Sequence, residues 1–536
     1  MDKLFWLVLS LVLCNISANT QPGLEQELGY VPSLGDTSPG SVWPQPQSLT
    51  STPQTYTVTV ENFSFKYVAS SHRCSTLDEA FKRYGMIMMS STSRLRLKFR
   101  PKVQLKISSL EVNLLSTCQH YPSLNMNEAY TMEVGDYSLL TSESVWGILR
   151  GLETFSQLLW ESETGEFVVN KTNVIDHPRY SHRGILLDTS RHFLPVRVLL
   201  ENLDAMAYNK YNVFHWHIVD QQSFPYVSQA YPGLSKKGAY QANYVYTPDD
   251  VAAVVEYARL RGIRVVPEFD TPGHSLSWGL GQPGLLTPCY AGGKPTGTYG
   301  PINPTVESTY DFIRNLFTEL KAVFPDKYLH LGGDEVSFNC WKSNPDITNY
   351  MKEKNITGDY AKLEEIYVQR VTEISKEVGF SYIVWQEVVD NGVKVKDDTV
   401  VEVWINNHID KELEKVTKLG YRAILTAPWY LNMIHYREDW QYYYMYEPSA
   451  FNGTEKQKEL VVGGEACMWG EYVDATNIIP RLWPRASAVA ERLWSAKNIN
   501  DVTKATPRLH QQRCRMLQRG INAEPLHPGY CVHERN

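Results

Sequence analysis

The sequence lacks a strong charge of either sign. Its 536 residues carry 52 Lys and Arg against 59 Asp and Glu, which gives a net charge of −7 at pH 7 with histidine neutral. A balance this close to neutral provides no electrostatic footprint for nucleic acid or for an anionic membrane surface. The composition therefore argues against nucleic acid as a partner.

Long apolar runs are also lacking beyond the first residues. The segment LFWLVLSLVLC at 4–14 is apolar, but it is shorter than the about 20 residues that span a bilayer. It follows Lys3 and precedes the small and polar residues NISANT, which is the pattern of a cleaved secretory signal. We predict a signal peptide over residues 1–20, a flexible leader over 21–42, and no transmembrane anchor.

Cysteine is scarce, with eight residues in the chain. Removal of Cys14 with the signal leaves seven, an odd number that allows three disulfides and one free thiol in an oxidising compartment. Spacing alone leaves the pairing open. Triplets compatible with glycosylation in that compartment begin at Asn62, Asn170, Asn355 and Asn452.

Hydrophobic residues are abundant, at 43% of the chain with 12% aromatic, which is ample for a core larger than that of one average domain. The alternating segments TYTVTVENFSFKYV and VQLKISSLEVNLL are typical of strands, and SVWGILRGLETFSQLLW of an amphipathic helix. These elements predict a small α+β domain over residues 43–178, ending where Pro178 interrupts the pattern.

From residue 179 onward one pattern recurs eight times. A short apolar or β-branched run ends abruptly in polar or aromatic residues, and helix-like sequence follows most of the runs. The runs are RGILLDTSRH (183–192), NVFHWHIVD (212–220), IRVVPEFDTPGH (263–274), YLHLGGDE (328–335), YIVWQE (382–387), VVEVW (400–404), YRAILTAPWY (421–430) and VVGGEACMWGE (461–471). Eight strands that alternate with helices favour a closed (β/α)8 barrel, a TIM barrel, over residues 179–536.

The ends of the strands meet at one face of such a barrel, so the polar and aromatic residues there are expected to surround one pocket. They are Arg191, Asp220, Asp270, His274, Asp334, Glu335, Trp385, Trp404, Tyr430, Trp469 and Glu471.

Several motifs in fixed order carry a resemblance to a known family. They are RGILLDTSRHFLP, NVFHWHIVD, EFDTPGH, HLGGDEV, APWYLN and GGEACMWGE. From about Trp43 to Cys531 the chain resembles the lysosomal β-N-acetylhexosaminidases of glycoside hydrolase family 20, which include the α and β subunits of animals. The resemblance implies a (β/α)8 catalytic barrel behind an α+β domain. It also implies removal of terminal β-linked N-acetylglucosamine or N-acetylgalactosamine without a cofactor, and a dimer of identical or related subunits in the lysosome or outside the cell.

The resemblance further implies that the substrate takes part in the chemistry. Glu335 is expected to protonate the glycosidic oxygen and later to deprotonate water, with a raised pKa. Asp334 is expected to hold the N–H of the 2-acetamido group, whose carbonyl oxygen attacks C1 and forms an oxazolinium intermediate with retention. Tyr430 would donate a hydrogen bond to that oxygen. Gly332 and Gly333 are expected to let the backbone approach the sugar.

The remaining candidates suit an exo-acting sugar pocket. Trp385, Trp404 and Trp469 offer apolar walls. By resemblance, Arg191 and Glu471 hold sugar hydroxyls, while Asp220, Asp270 and His274 form a polar group near Glu335.

One departure from the family concerns charged sugars. Asn432 matches the animal α subunit, but Met433 stands where that subunit has an arginine suited to a charged sugar. We expect neutral sugars to be preferred over 6-sulfated ones, because a methionine cannot pair with sulfate.

Family cysteine positions imply the pairs Cys74–Cys118, Cys289–Cys340 and Cys514–Cys531, with Cys467 free and buried in the last strand.

Two other functions stay open on the residues alone. His215 and His217 in HWH share one strand face, and some barrel hydrolases use such a pair as zinc ligands. Against zinc, the strand continues to Asp220, which places the histidines below the rim, where core hydrogen bonding is the simpler explanation. The other alternative is a non-catalytic sugar-binding protein, which would keep the tryptophans and could lose Asp334 or Glu335.

Overall fold

The computed structural model describes residues 40–90, 105–162, 166–396, 398–433, 435 and 438–531. The predicted signal peptide and residues 21–39 of the predicted leader lie outside the described residues. No helix in these ranges is long and apolar enough to span a bilayer.

The first part of the described chain is a mixed sheet covered by helices, as predicted. Its strands are β1 (Ser48–Val58), β2 (Ser64–Tyr67), β3 (Lys106–Ile107), β4 (Ser109–Leu114), β5 (Tyr130–Val134), β6 (Leu139–Ser142), β7 (Trp160–Glu161) and β8 (Phe167–Asp176), in the order β2-β4-β6-β5-β8-β1-β3 with β7 on β8. The helices are α1 (Ser75–Ser90) and α2 (Val145–Leu158), and a short 3-10 turn spans Val60–Asn62. Alternate residues of β5 are buried, and the side chain of Ser144 caps α2 by accepting from the N–H of Gly147.

The second part is a closed barrel of parallel strands, which confirms the predicted TIM barrel. Its strands are β9 (His182–Asp188), β10 (Val213–Val219), β11 (Arg264–Phe269), β14 (Tyr328–His330), β15 (Ser381–Trp385), β16 (Val400–Val403), β17 (Arg422–Leu425) and β18 (Val461–Met468). Each lies inside or within one residue of its predicted run. All residues of β9, β10 and β11 are buried, as expected for strands covered on both faces.

Helices surround the barrel and complete the chain. They are α3 (Val196–Tyr208), α4 (Gly233–Gly238), α5 (Pro248–Arg259), α6 (Leu276–Gly281), α7 (Glu307–Val323), α8 (Asn339–Ser343), α9 (Pro345–Glu353), α10 (Tyr360–Glu377), α11 (Glu387–Asp390), α12 (Ile409–Lys418), α13 (Trp440–Met445), α14 (Glu455–Glu459), α15 (Ile478–Leu482), α16 (Arg485–Trp494) and α17 (Val502–Gln518).

One excursion from the barrel pattern is a hairpin between β11 and β14. Its strands β12 (Leu286–Ala291) and β13 (Lys294–Ile302) pair antiparallel around Gly292 and Gly293, both at positive φ. A disulfide from Cys289 to Cys340 ties the hairpin to α8. The hairpin therefore forms a fixed wall beside the loop that carries Asp334 and Glu335.

The other disulfides join Cys74 to Cys118 and Cys514 to Cys531, while Cys467 is free and buried in β18. These are the pairs that the family positions imply.

A buried carboxylate links the sheet to the barrel. Glu128 accepts from Nε of Arg150 at 2.8 Å and from Nη2 of Arg183 at 2.6 Å, and Arg150 also donates to the carbonyl of Gly262. Because Arg150 lies in α2 and Arg183 in β9, this ion-pair group holds the two parts together at a buried site. The strand β8 ends at Asp176 and β9 begins at His182, and the domain boundary at residue 178 stays a prediction.

The four predicted glycosylation triplets differ in exposure. Asn62, Asn355 and Asn452 are exposed. Asn170 is partly buried, and its amide oxygen accepts from the indole N–H of Trp160 at 3.0 Å. Glycosylation at these positions stays a prediction.

Candidate active site

A cavity of about 320 Å³ opens at the carboxyl ends of the barrel strands, where parallel barrels place their active sites. Its walls are formed by Arg191, His274, Asp334, Glu335, Trp385, Trp404, Tyr430, Asn432, Met433, Trp469, Glu471 and Tyr472. Ten of these twelve residues are among the predicted site residues, while Met433 and Tyr472 complete the rim. Residues spread over the whole barrel sequence therefore meet in one cavity.

Aromatic rings form most of the cavity wall. The rings of Trp385 and Trp469 lie 6.0 Å apart between centroids, and Tyr430 lies 6.4 Å from Trp469 and 6.2 Å from Trp404. Each residue lies at or just after the end of a barrel strand, so the strands set the ring positions. Flat apolar surfaces at these spacings suit a pyranose ring and a small methyl-bearing substituent.

The loop after β14 carries the two neighbouring carboxylates. The strand ends at His330, and the chain then turns through Gly332 (φ 68°), Gly333 (φ 96°) and Glu335 (φ 50°). The side chain of Asp334 is 11% exposed, whereas that of Glu335 is 60% exposed. Both carboxylates follow the end of the strand, and Glu335, at positive φ, lies at the rim while Asp334 is buried.

The glycine pair has a different neighbour from the one expected. A Cβ atom on Gly332 would lie 1.7 Å from Oδ1 of Asp270, and the N–H of Gly333 donates to that oxygen at 2.9 Å. The expectation that these glycines let the backbone approach the sugar is wrong for Gly332, because the space they leave is filled by Asp270.

His274 lies at the centre of the polar side of the cavity. Its Nε2 atom lies 3.4 Å from Oε2 of Glu335 and 3.7 Å from Oδ2 of Asp334, and its Nδ1 atom lies 3.1 Å from Oδ1 of Asp220. Burial alone would lower the pKa of His274, but Asp270 and the other surrounding carboxylates raise it to about 12. The imidazole is therefore a cation that donates from both nitrogens.

This cation reverses the expected protonation of the carboxylate pair. The hydrogen bond from His274 lowers the pKa of Glu335, so the expected raised pKa is wrong for the site without substrate. Burial, reinforced by the neighbouring Asp270, raises the pKa of Asp334 well above its usual value. Burial likewise raises the pKa of Asp270 to about 6. Without substrate, Glu335 is therefore ionised, and Asp334 holds a proton more readily than Glu335 does.

Arg191 adds a second positive charge on the same polar side of the cavity, with its Nη2 atom 3.5 Å from Nδ1 of His274. Its guanidinium pairs with Asp188 at 3.1 Å and with Asp220 at 2.9 Å and lies over the ring of Trp469 at 5.1 Å. Glu471 lines the same cavity. A fixed fork of donors and a nearby carboxylate are well suited to neighbouring sugar hydroxyls.

Two predicted site residues lie beneath the cavity instead of on its wall. Asp220 is fully buried and accepts from Arg191, His217 and His274. Asp270 is 1% exposed under the Gly332–Gly333 turn. Both carboxylates therefore act on the groups that line the cavity and do not reach a substrate directly.

The HWH pair faces carboxylates inside the barrel. His215 bonds Glu465 at 2.8 Å and Glu268 at 3.0 Å, while His217 bonds Glu268 at 2.5 Å and Asp220 at 2.8 Å. All four ring nitrogens are thus engaged, and neither histidine lines the cavity. The geometry favours core hydrogen bonding over zinc ligation for this pair.

Three carboxylates that support the site were missed by the sequence reasoning. Asp188 pairs with Arg191, Glu387 accepts from the indole N–H of Trp404 at 2.7 Å, and Glu268 accepts from the indole N–H of Trp385 at 2.8 Å. Asp188 ends a predicted strand run and Glu387 follows one, so the rule that polar residues at strand ends face the cavity could have identified both. Glu268 lies within β11 and carried no such signal.

Several polar atoms at the cavity have no hydrogen-bond partner among the residues that the structure describes. They are Oδ1 of Asp334, Nε1 of Trp469 and Oδ1 of Asn432. Buried polar atoms are normally satisfied, so these positions are ready to bind polar groups of a ligand.

Comparison with known proteins gives consistent matches over both parts of the chain. Residues 180–497 match the family model "Glycosyl hydrolase family 20, catalytic domain", and residues 42–158 match the model "beta-acetyl hexosaminidase like". The chain is 54% identical over 507 residues to the beta-hexosaminidase subunit alpha of Bos taurus, covering 92% of this chain and 95% of that protein. It is 51% identical over 514 residues to the beta-hexosaminidase subunit beta of Homo sapiens, covering 95% and 92%.

Among solved structures, the chitobiase of Flavobacterium johnsoniae is similar, with a TM-score of 0.78 at 29% identity over 90% of this chain and 73% of that one. The resemblance drawn from the motifs is confirmed, and the chain belongs to glycosyl hydrolase family 20.

Proposed function

We propose that the chain is an exo-acting β-N-acetylhexosaminidase that hydrolyses terminal non-reducing N-acetylglucosamine or N-acetylgalactosamine from oligosaccharides or glycoconjugates. The observation that carries the proposal is Asp334. Its carboxyl group is buried beside the aromatic wall, and its Oδ1 atom has no partner within the described structure. An acetamide N–H at this position would satisfy that oxygen, and the acetamide methyl would lie against the aromatic rings.

Binding would orient the acetamide for attack on the anomeric carbon. Asp334 accepts from its N–H, while the buried hydroxyl of Tyr430 donates to its carbonyl oxygen. Burial raises the pKa of Tyr430 well above its usual value, so it stays protonated as a donor. With the two ends of the amide held, its oxygen can reach C1 without the loss of orientation that a free nucleophile would pay.

Glu335 would act first as an acid and then as a base. As the acetamide oxygen bonds to C1, the bond from C1 to the leaving oxygen breaks, and that oxygen takes the electron pair and the proton of Glu335. The oxazolinium ring that results is stabilised by the carboxylate of Asp334. Water then attacks C1, its proton passes to Glu335, and the ring reopens, so the product keeps the starting anomeric configuration.

This sequence requires the two carboxylates to exchange protonation states when substrate binds. A sugar in the cavity removes water from Glu335, which disfavours its charged form, while the acetamide N–H stabilises the charged form of Asp334. His274 contacts both carboxylates and can keep its charge throughout, because its own pKa is raised to about 12.

Assembly and location form part of the same proposal. The relatives are named as alpha and beta subunits, which supports a dimer of identical or related chains. The signal-like segment and three disulfides support the secretory pathway, with the lysosome as the destination and secretion as the alternative.

The test is hydrolysis of a short oligosaccharide that ends in β-linked N-acetylglucosamine, followed by NMR during the first turnovers. We expect release of the terminal residue only, first as the β-anomer. Capping the terminal sugar at O4 should abolish release, because an exo-acting pocket has no room beyond the non-reducing end. Cleavage at internal bonds, or initial release of the α-anomer, would contradict the proposal.

A further inference from the structure

Glu268 is a buried carboxylate that neither lines the cavity nor belongs to the proposed chemistry. It is located in β11 with no exposed surface. Its Oε1 atom accepts from the indole N–H of Trp385 at 2.8 Å, and its Oε2 atom accepts from His217 at 2.5 Å and from His215 at 3.0 Å. Three donors from two different strands therefore converge on one carboxylate.

The first connection leads to the aromatic wall. Trp385 ends β15, lines the cavity and is within 6.0 Å of Trp469 between ring centroids. An indole can slide or tilt in its plane unless its single N–H is anchored. The bond to Glu268 fixes the Trp385 ring at the place where the acetamide methyl is proposed to lie.

The second connection leads to the acid. Hydrogen bonds run from Glu268 through His217 to Asp220 at 2.8 Å and from Asp220 to His274 at 3.1 Å, and His274 forms an ion pair with Glu335 at 3.4 Å. The histidine in the middle has carboxylates on both nitrogens, which raise the pKa of His217 to about 10. It is therefore a cation that donates in both directions, and it sets the orientation of Asp220.

We propose that Glu268 is a positioning residue. One of its oxygens fixes the ring of Trp385, against which the acetamide methyl is proposed to lie, and the other acts through His217 on the position of the acid Glu335. This inference rests on the proposed function, since it assigns the two connections to the two halves of that reaction. It requires a residue that only accepts hydrogen bonds. A glutamine has a single acceptor oxygen, so it cannot accept from Trp385 on one side and from a cationic His217 on the other.

Neighbouring charges are consistent with an ionised Glu268. His217 and His215 contact its Oε2 atom directly, at 2.5 Å and 3.0 Å. Despite burial, these imidazoles lower the pKa of Glu268 well below its usual value. The carboxylate is therefore available as an acceptor throughout the working pH range of a glycosidase.

The experiment compares Glu268→Gln with a matched control, Glu465→Gln, in the full-length protein. Glu465 is equally buried, also pairs with His215 and with His182, and touches no residue of the cavity wall through a hydrogen bond. Two measurements report the two connections separately. The first is kcat/KM for aryl 2-acetamido glycosides whose leaving groups are a weakly acidic phenol and a strongly acidic dinitrophenol. The second is the affinity for a thiazoline analogue of the cyclic intermediate.

We expect Glu268→Gln to lower kcat/KM for the weakly acidic phenol on the order of tenfold to a hundredfold, from lost hydrogen bonds and misplaced groups. The loss should shrink for the dinitrophenol, which needs no proton. Thiazoline affinity should also fall about tenfold. Glu465→Gln should change both quantities by less than about threefold, because it reaches Glu268 only through His215 and contacts neither Trp385 nor His217 by a hydrogen bond. Equal losses in the two variants, or no loss in a folded Glu268→Gln, would overturn the proposal.

A second variant keeps the inference testable if Glu268→Gln does not fold. His217→Gln breaks the hydrogen-bond connection to the acid and keeps the bond from Trp385 to Glu268, although it also removes a ring contact with Trp469 at 4.8 Å. It should therefore lower cleavage of the weakly acidic phenol more than it lowers thiazoline affinity. A fall in thiazoline affinity as large as the fall in kcat/KM would contradict the idea that Glu268 acts on the aromatic wall and on the acid through two separate connections. Trp385→Phe combined with Glu268→Gln should lose less thiazoline affinity than the product of the two single losses, because both changes remove the same bond. If the two single losses of thiazoline affinity simply multiply in the double variant, the bond between Trp385 and Glu268 is not their common cause.

The parent protein separates the two hypotheses. If it cleaves neither glycoside, the proposed function fails, and the role of Glu268 fails with it. If the parent cleaves both and Glu268→Gln behaves like the control, only the positioning role fails.

Discussion

His274 and Glu335 are joined by a contact of 3.4 Å between Nε2 and Oε2 at the rim of the cavity, whereas the neighbouring carboxylate of Asp334 is buried. Since the pKa of His274 is raised to about 12, this contact keeps Glu335 ionised before substrate binds. Burial has the opposite effect on Asp334. Catalysis therefore requires substrate binding to raise the pKa of Glu335 and to lower the pKa of Asp334, and this requirement can be tested.

Replacing Glu335 should show that it acts on the leaving group. Glu335→Gln keeps the shape but cannot transfer a proton, so kcat should fall by about 10²- to 10⁴-fold for a weakly acidic phenol. The fall should be much smaller for formation of the intermediate from a dinitrophenyl glycoside, which is measured as a pre-steady-state burst. Equal falls for both leaving groups would contradict a general acid.

Asp334 should control how ligand binding depends on pH. N-acetylglucosamine does not titrate, and its amide N–H favours the ionised form of Asp334. Because the pKa of Asp334 is raised, ligand-free protein holds a proton there that must leave on binding. In Glu335→Gln the second carboxylate cannot take up that proton, so the affinity of this variant should increase as pH rises through the pKa of Asp334. Adding Asp334→Asn should remove this dependence, and Asp334→Asn alone should lower kcat by about 10²- to 10³-fold. Calorimetry at several pH values measures the first effect; affinity that is flat with pH in Glu335→Gln would contradict it.

Met433 should limit the use of charged sugars. It is 56% exposed and lines the cavity with Glu471, so a 6-sulfated sugar would meet an apolar side chain and a like charge. Met433→Arg should raise the ratio of kcat/KM for sulfated over plain substrate about tenfold or more through a charge-assisted hydrogen bond. Met433→Leu serves as the control and should leave the ratio unchanged. Comparable turnover of the two substrates by the parent would contradict this prediction.

Glu364 should make the fold less stable as pH rises. It is buried in α10, its Oε2 accepts from Asn391 at 2.9 Å, and burial raises its pKa to about 7. Between the unfolded value near 4.5 and about 7, the folded chain binds a proton that the unfolded chain has lost, so stability falls across this window. Glu364→Gln should therefore raise the unfolding temperature more at pH 8 than at pH 5. A stabilisation that is the same at both pH values would contradict it.

The sequence predicted the barrel because its signal is local and repeated. Each of the eight runs is apolar until it ends in polar or aromatic residues, and strand ends in a barrel share one face. The same logic found Trp385, Trp404 and Trp469, which the structure brings to one cavity.

What the sequence did not predict depends on contacts between distant residues. The buried Glu268 lies inside a strand that reads as apolar core, and its partners arrive from β10 and β15. The protonation of Glu335 depends on His274, which reaches it from the loop after β11. The hairpin β12–β13 resembled a polar loop, since its strands are interrupted by glycine and proline.

The central claim is that the 2-acetamido group of the substrate is the nucleophile held by Asp334 and Tyr430. The most direct measurement compares release of one chromogenic phenol from a β-N-acetylglucosaminide and from the matching β-glucoside, at mildly acidic pH without added metal. The account predicts cleavage of the acetamido sugar alone, since the glucoside has no group to attack C1. Comparable cleavage of both would show that the protein supplies its own nucleophile and would contradict the account.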